Sequence, residues 1–300
     1  MHPTKKFIVC VCLAVVAACV TTPISNKRAF IMIPAKQETA LGKQAYNQIL
    51  EKEKISTDRE TAALVEQVGR RLAAVSSMPN LDWEFRLIDS EEQNAFALPG
   101  GKVAVYTGLL PVAQNEAGLA TVMSHEIAHV IARHGAQRMT QQLVLTLGLA
   151  ATSISLENNN QKRAIMAALG VGILYGFTLP FSRGNEAEAD QIGLIYMARA
   201  GYDPNEAVRF WKRFASEKKG QEIPEFLSTH PADRTRIRRI SKYLPRAKSN
   251  YNAIKVKYGL GQALNLNEVT DFPAPDRPRA VPGVSVETLT QPPLPQNPRR

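Results

Sequence analysis

Cysteine is almost absent from this 300-residue chain: its three copies, Cys10, Cys12 and Cys19, all lie within the first nineteen residues. Beyond that point no disulfide framework can form, and no cysteine is left for a redox role. Long apolar runs are missing too. The longest one near the N-terminus, Phe7 to Ala18, is shorter than the roughly 20 residues that cross a bilayer. Acidic residues are outnumbered, 27 against 37 Lys and Arg, which leaves a net charge of +10. Such an excess can serve nucleic acid or anionic membranes, but no nucleic-acid motif accompanies it, so no nucleic-acid partner is expected. Internal repeats are absent. What remains, 44% hydrophobic and 21% charged residues, is the composition of a folded globular protein rather than a disordered or multi-span one. The length suits one sizeable domain with appendages.

The N-terminus reads as a targeting segment. Lys5 and Lys6 precede the apolar run, which ends in Val16-Ala17-Ala18-Cys19. A short apolar stretch behind positive charges fits the core of a secretory signal. Small residues directly before a cysteine resemble the bacterial lipoprotein box, in which the cysteine becomes the new N-terminus and carries lipid. Cys19 is therefore the expected lipidation site, residues 1–19 the signal, and the membrane a partner through that lipid. Acyl chains contribute about 0.8 kcal/mol per buried methylene, so several of them anchor firmly. Val20 rather than Asp after the cysteine favours, by resemblance to enterobacterial sorting, the outer membrane over the inner. The expected location is the periplasmic side of the cell envelope.

Residues 20–35 read as a tether and 36–250 as one mainly helical domain. Residues 251–300 read as an extension that turns proline-rich, and so disordered, from about 270. Within the domain, helices are expected over about 37–54, 59–76 (with Thr57 as cap and Glu60 in a capping box), 116–137 behind Asn115, 139–156, 162–178, 185–200, from Asp203 onward, and 233–243. "WEFRLID", residues 83–89, alternates as a strand does. "NAFALPGGKVAVYTGLL", residues 94–110, reads as two strands joined by a Pro-Gly-Gly turn.

The chemistry is concentrated in "TVMSHEIAHVIARHGAQR", residues 121–138, which holds three of the five histidines. Positions i and i+4 of a helix share a face one turn apart, so His125 and His129 can reach one ion at the roughly 2.0–2.1 Å that zinc requires. Glu126 is rotated about 100° from His125. It lies beside such an ion, where a general base for peptide hydrolysis is needed. The helix is otherwise apolar, and two imidazoles and a carboxylate buried without a partner would be costly. One Zn2+ per chain is the expected cofactor. Two histidines leave zinc short of a ligand, and "FSRGNEAEADQIGL", residues 181–194, offers acids on a second helix. Glu186 and Asp190 share a face and Glu188 points elsewhere. A carboxylate there would complete two histidines and one acid, and Asp190 could fix the tautomer of a ligand histidine.

With these motifs the chain resembles the zinc peptidase family that includes HtpX-like and CaaX prenyl proteases, and its exported lipoprotein members most. The shared features are His-Glu-x-x-His at 125–129, Ser-Arg-x-x-Glu-x-x-x-Asp at 182–190, the 94–110 segment, and "STHPADRTRI" at 228–237. They cover about residues 35–245. The resemblance implies an α+β, mostly helical, zincin-like gluzincin domain with a small sheet beside the active-site helix. It implies Glu186 as third metal ligand, Asp190 as support behind a ligand, and Arg236 lining the site. His230 would lie near the zinc, steadying the oxyanion or acting as a reversible fourth ligand. His134 fits neither ligand role and is expected to be structural.

Strand Lys102, Val103, Ala104, Val105, Tyr106 to Thr107 is expected at a sheet edge, where it could pair with an extended substrate whatever its side chains. That mode suits unfolded or misassembled envelope proteins as substrates of a zinc endopeptidase. The alternative is a chaperone-like or scaffold lipoprotein that holds clients in the cleft and cuts rarely. Residues 164–182 carry no charge, but a single span there would part Glu186 from His125 and His129. The 143–182 stretch is therefore expected as a buried helical pair beside the site.

Overall fold

The computed structural model describes residues 19–153, 182–216, 225–230, 234–259 and 263–264. The expected signal peptide up to residue 18, the second apolar helix at 162–178 and the proline-rich tail lie outside these residues. The described residues belong to one contact unit, residues 1–268. The fold is α+β and mostly helical. Its elements are β1 Cys19–Thr21, β2 Arg28–Phe30, α1 Ala35–Leu50, α2 Arg59–Ala74, β3 Glu84–Ile88, β4 Ala95–Leu98, β5 Lys102–Tyr106 and the short α3 Leu110–Ala113. They continue with α4 Glu116–Ile131, α5 His134–Ser153, α6 Arg183–Arg199, α7 Asn205–Ser216, α8 Glu225–Thr229 and α9 Arg234–Ala253.

The three-stranded sheet has the order β3-β5-β4. β5 runs parallel to β3 and antiparallel to β4, with Leu98 opposite Lys102 across the Pro99-Gly100-Gly101 turn. Gly100 and Gly101 adopt φ of 88° and 83°, a region that costs other residues steric strain. The hairpin places Lys102–Tyr106 in the middle of the sheet, bonded on both sides and buried along its length. The expectation that this strand forms a substrate-binding edge is therefore overturned. A central strand has no free N–H or C=O row to offer; among the described residues the edges of this sheet are β3 and β4.

α4 is the axis of the structure. Every residue from Ala117 to Ile131 is buried, as befits a helix that is apolar all round. It packs against α2, α6, α7 and β4, and α9 packs on α6. Asn115 caps it, accepting from Gly118 N at 2.8 Å. The helix expected to reach residue 137 stops at Ile131. Arg133 takes φ 54° and ties its guanidinium to Glu38 Oε2 at 2.7 Å and Ile33 O at 3.0 Å, so α5 restarts in a new direction at His134. The cap of α2 is Asp58 rather than Thr57, since its carboxylate accepts from Thr61 N at 3.1 Å.

Both ends of the domain extend further than their sequence implies. Residues 20–35, expected as a tether, carry the β1–β2 hairpin, with Cys19 opposite Phe30. Residues just past 250 also belong to the body. α9 continues to Ala253, Tyr258 N bonds Gly201 O at 2.9 Å, and Leu264 N bonds Gln114 O at 2.8 Å. The burial expected for 143–182 fails where it can be seen, because Val144 and Leu145 on α5 are 49% and 65% exposed. Among the described residues, no helix is long and apolar enough to cross a membrane.

The contact between α4 and α6 depends on Gly193. A Cβ there would stand 2.9 Å from Ser124 C and O and 3.0 Å from His125 N. Gly193→Ala is expected to destabilise the metal-free protein by about 1–3 kcal/mol, the range for overpacking. Urea unfolding followed by circular dichroism checks it, and an unchanged midpoint would mean that the two helices are free to part.

Candidate metal centre

α4 brings His125, Glu126 and His129 into the interior, α6 brings Glu186, Glu188 and Asp190, and the segment after α8 brings His230. All seven are buried. His125, His129, Glu186 and His230 each offer a ligand atom, and these atoms lie within 4.8 Å of one another. His125 Nε2 is 3.1 Å from His129 Nε2, 3.2 Å from His230 Nδ1 and 3.4 Å from Glu186 Oε2. Glu186 Oε1 is 3.3 Å from His129 Nε2 and 3.0 Å from His230 Nδ1.

These spacings test whether the residues fit an ion. Four ligands at about 2.0–2.1 Å in a tetrahedron stand roughly 3.3 Å apart, close to the distances observed. Hydrogen bonds explain them less well. A ring nitrogen carries at most one proton, whereas His125 Nε2 faces two other imidazole nitrogens at once. Charge points the same way. The buried carboxylates of Glu186 and Asp190 share the guanidinium of Arg236, and a cation beside them would offset the remaining negative charge.

Arg236 is fully buried on α9 and organises the floor of the site. Its Nη2 reaches Asp190 Oδ1 at 2.7 Å, and its Nη1 reaches Glu186 Oε2 at 3.0 Å and donates to His230 O at 3.2 Å. The guanidinium lies 3.4 Å over the Trp211 ring, a cation–π contact in a dry setting. Asp190 Oδ1 stands 3.1 Å from His125 Nδ1, so the acid one turn beyond Glu186 backs the first histidine of the pair.

The titration preferences follow from burial and neighbours. Burial pushes Glu126 up to about 7 against the pull of His230. Burial also works to raise Glu186, but the adjoining His230, Arg236 and His125 hold it well below the ordinary carboxylate range. For His129 burial wins and favours the neutral ring, the form that ligates metals. For His125 burial and Arg236 oppose protonation, and the facing Glu186 and Asp190 carboxylates prevail and raise it.

Two features of the site escaped the sequence reading: an aromatic pad, and the contacts of His134, a residue expected only to be structural. The pad consists of Phe210, Trp211, Phe214 and Phe226 behind the site. Phe226 lies 4.5 Å from the His230 ring, and Trp211 lies 6.0 Å from His125. No motif marks them; for Phe210, Trp211 and Phe214 the apolar stripe of α7 was the signal. The second is His134, whose Nδ1 is 3.0 Å from His129 Nδ1, with Glu188 Oε2 3.5 Å from its Nε2. The break at Arg133 turns His134 back onto His129, and a continuous helix would have hidden that contact. Lys102–Tyr106 is not brought into the site; Ala97 on β4 is, bonding Glu126 through its backbone.

The profile of peptidase family M48 matches residues 59–244. The chain is 38% identical over 75% of its length to the mitochondrial metalloendopeptidase OMA1 of Schizosaccharomyces pombe, covering 66% of that protein. It is 33% identical over 76% of its length to OMA1 of Saccharomyces cerevisiae, covering 70% of it. It is 31% identical over 72% of its length to the beta-barrel assembly-enhancing protease of Escherichia coli, of which it spans 46%. These matches take in the helix with His125, Glu126 and His129 and the helix with Glu186. On that evidence the chain belongs to peptidase family M48, the zinc metallopeptidases, and is a metalloendopeptidase.

Proposed function

We propose that the chain is a zinc-dependent endopeptidase of the bacterial cell envelope that cuts unfolded or misassembled proteins. The observation that carries the reading is the convergence of four ligand atoms within 4.8 Å of one another, with Glu126 buried beside them. His125, His129 and Glu186 would hold the zinc and His230 would supply the fourth ligand. Zinc, when bound, lowers the pKa of water toward neutrality and polarises the scissile carbonyl. Glu126, whose affinity for a proton burial raises, takes the proton from the attacking water and delivers it to the leaving amine. Asp190 and Arg236 hold the donors in place.

The substrate would lie along β4, whose outer edge has no strand partner among the described residues. Main-chain pairing there is indifferent to side-chain identity, which suits unfolded chains. The envelope placement rests on Lys5, Lys6 and the run ending in Cys19, with lipid on Cys19 as the anchor. The name of the bacterial relatives accords with substrates among envelope proteins that fail to assemble.

Purified protein is expected to hold about one zinc per chain, and His125→Ala, His129→Ala and Glu186→Ala are each expected to lose most of it. Glu126→Gln keeps zinc and fold but loses at least the roughly 10²-fold of a missing general base. Elemental analysis and turnover of an unfolded casein substrate, with and without chelator, decide. Wild-type turnover by Glu126→Gln would refute the mechanism.

His230→Ala separates two roles. Because its Nδ1 sits among the ligand atoms, removing it opens a position for water, so turnover should rise. A fall at constant zinc content would assign it to the oxyanion instead. For the anchor, Cys19→Ala should abolish incorporation of radiolabelled fatty acid in growing cells. Equal labelling of the wild type and the variant would sink the lipoprotein reading.

A further inference from the structure

The two histidines of α4 are backed by carboxylates at different removes. His125 meets Asp190 directly, at 3.1 Å from its Nδ1. On the Nδ1 side of His129, the path to a carboxylate runs through another imidazole. Its Nδ1 is 3.0 Å from His134 Nδ1, and His134 Nε2 is 3.5 Å from Glu188 Oε2. One proton assignment satisfies this chain when His129 Nε2 gives its lone pair to a metal. The proton of His129 then sits on Nδ1 and is donated to His134 Nδ1, which leaves the proton of His134 on Nε2, facing Glu188. His134 and Glu188 are both buried.

Glu188 is in turn held by the N-terminal hairpin. The hydroxyls of Thr22 and Ser25 both donate to its Oε1, and Thr22 is itself buried. Lys27 Nζ lies 3.3 Å from Glu188 Oε2 and donates to Gly184 O at 2.9 Å, at the start of α6. The turn between β1 and β2 aims these groups. Thr22 N bonds Lys27 O at 2.8 Å, and Ile24 and Asn26 take φ of 66° and 55° to close it.

We infer that His134 and Glu188 are positioning residues for the metal ligand His129, and that the N-terminal hairpin completes this support through Thr22, Ser25 and Lys27. The inference rests on the metal reading above and extends it from the ligands to a segment more than a hundred residues away in sequence. Its consequence is that metal affinity depends on the hairpin being docked, so the stretch that begins at Cys19 does more than connect the domain to an anchor. Outer partners that fix a ligand histidine characteristically change metal affinity by about 10–100-fold.

The test measures zinc affinity by competition with a chromophoric chelator, and the visible spectrum of the cobalt-substituted protein, on full-length variants. Glu188→Gln and His134→Leu should weaken zinc by about 10–100-fold and shift the cobalt bands. The double variant Thr22→Val, Ser25→Ala should weaken it by at least about threefold in the same direction, as the outermost part of such a shell. Unfolding of the metal-free proteins is followed in parallel. A lowered midpoint with wild-type zinc affinity and cobalt spectrum would make the cluster a packing feature and overturn the inference. Wild-type affinity in the double variant alone would remove the hairpin from it. Should His134→Leu fail to fold, Glu188→Gln and the double variant decide. The peptidase reading fails separately, by zinc bound tightly without turnover; a wild-type chain that bound no zinc would overturn both.

Discussion

Burying three ionisable groups on a helix with no exposed face is the constraint around which this structure is arranged. A charge moved into such an interior without a partner costs several kcal/mol or more, and α4 carries His125, Glu126 and His129 at full burial. Each neighbouring element answers part of that demand. α6 supplies Glu186 and Asp190, α9 supplies Arg236, and the segment after α8 supplies His230. The close approach of α4 and α6 at Gly193 lets a carboxylate and an imidazole on different helices come within ligand distance of one point.

Arg236 is the counterweight. Without it, Glu186 and Asp190 would face each other as like charges in a low dielectric. A guanidinium forks between them and stays charged in any setting proteins offer. Its contact with Trp211 fixes the fork from behind. The arginine therefore holds the acids in place, while the surplus negative charge of the pocket remains available to a dication. This division of labour explains why the residue is fully buried on α9, a helix whose other basic side chains largely face outward.

The sequence disclosed the site better than its setting. The spacing of His125, Glu126 and His129, and of Glu186 and Asp190, is a helical repeat, and helical repeats can be read without a fold. The sheet order could not be read that way. "NAFALPGGKVAVYTGLL" announces a hairpin, but only β3 lying alongside β5 makes Lys102–Tyr106 central and β4 the edge. His134 is expected from the sequence only to be structural, and a helix continuous to residue 137 would place it off the face of His129. The break at Arg133, held by Glu38 and Ile33, is a tertiary effect that local propensity does not reveal. The N-terminal hairpin was likewise invisible: its strands are three residues each, and their partner Glu188 lies far along the chain.

The arrangement also separates the groups that would hold a metal from the one that would block it. Glu186, Asp190 and His125 are interlocked through Arg236, and His129 is backed through His134. His230 is held by the bond from Arg236 Nη1 to its carbonyl, by its own N–H on Phe226 O at 2.8 Å and by the face of Phe226. It reaches toward both the ligand cluster and the base, with its Nε2 3.5 Å from Glu126 Oε1. Withdrawing His230 would free a coordination position and the carboxylate together. Its neighbour Phe226, bonded through its N–H to Gln93 O just before β4, links the His230 segment to the strand where an extended substrate would bind.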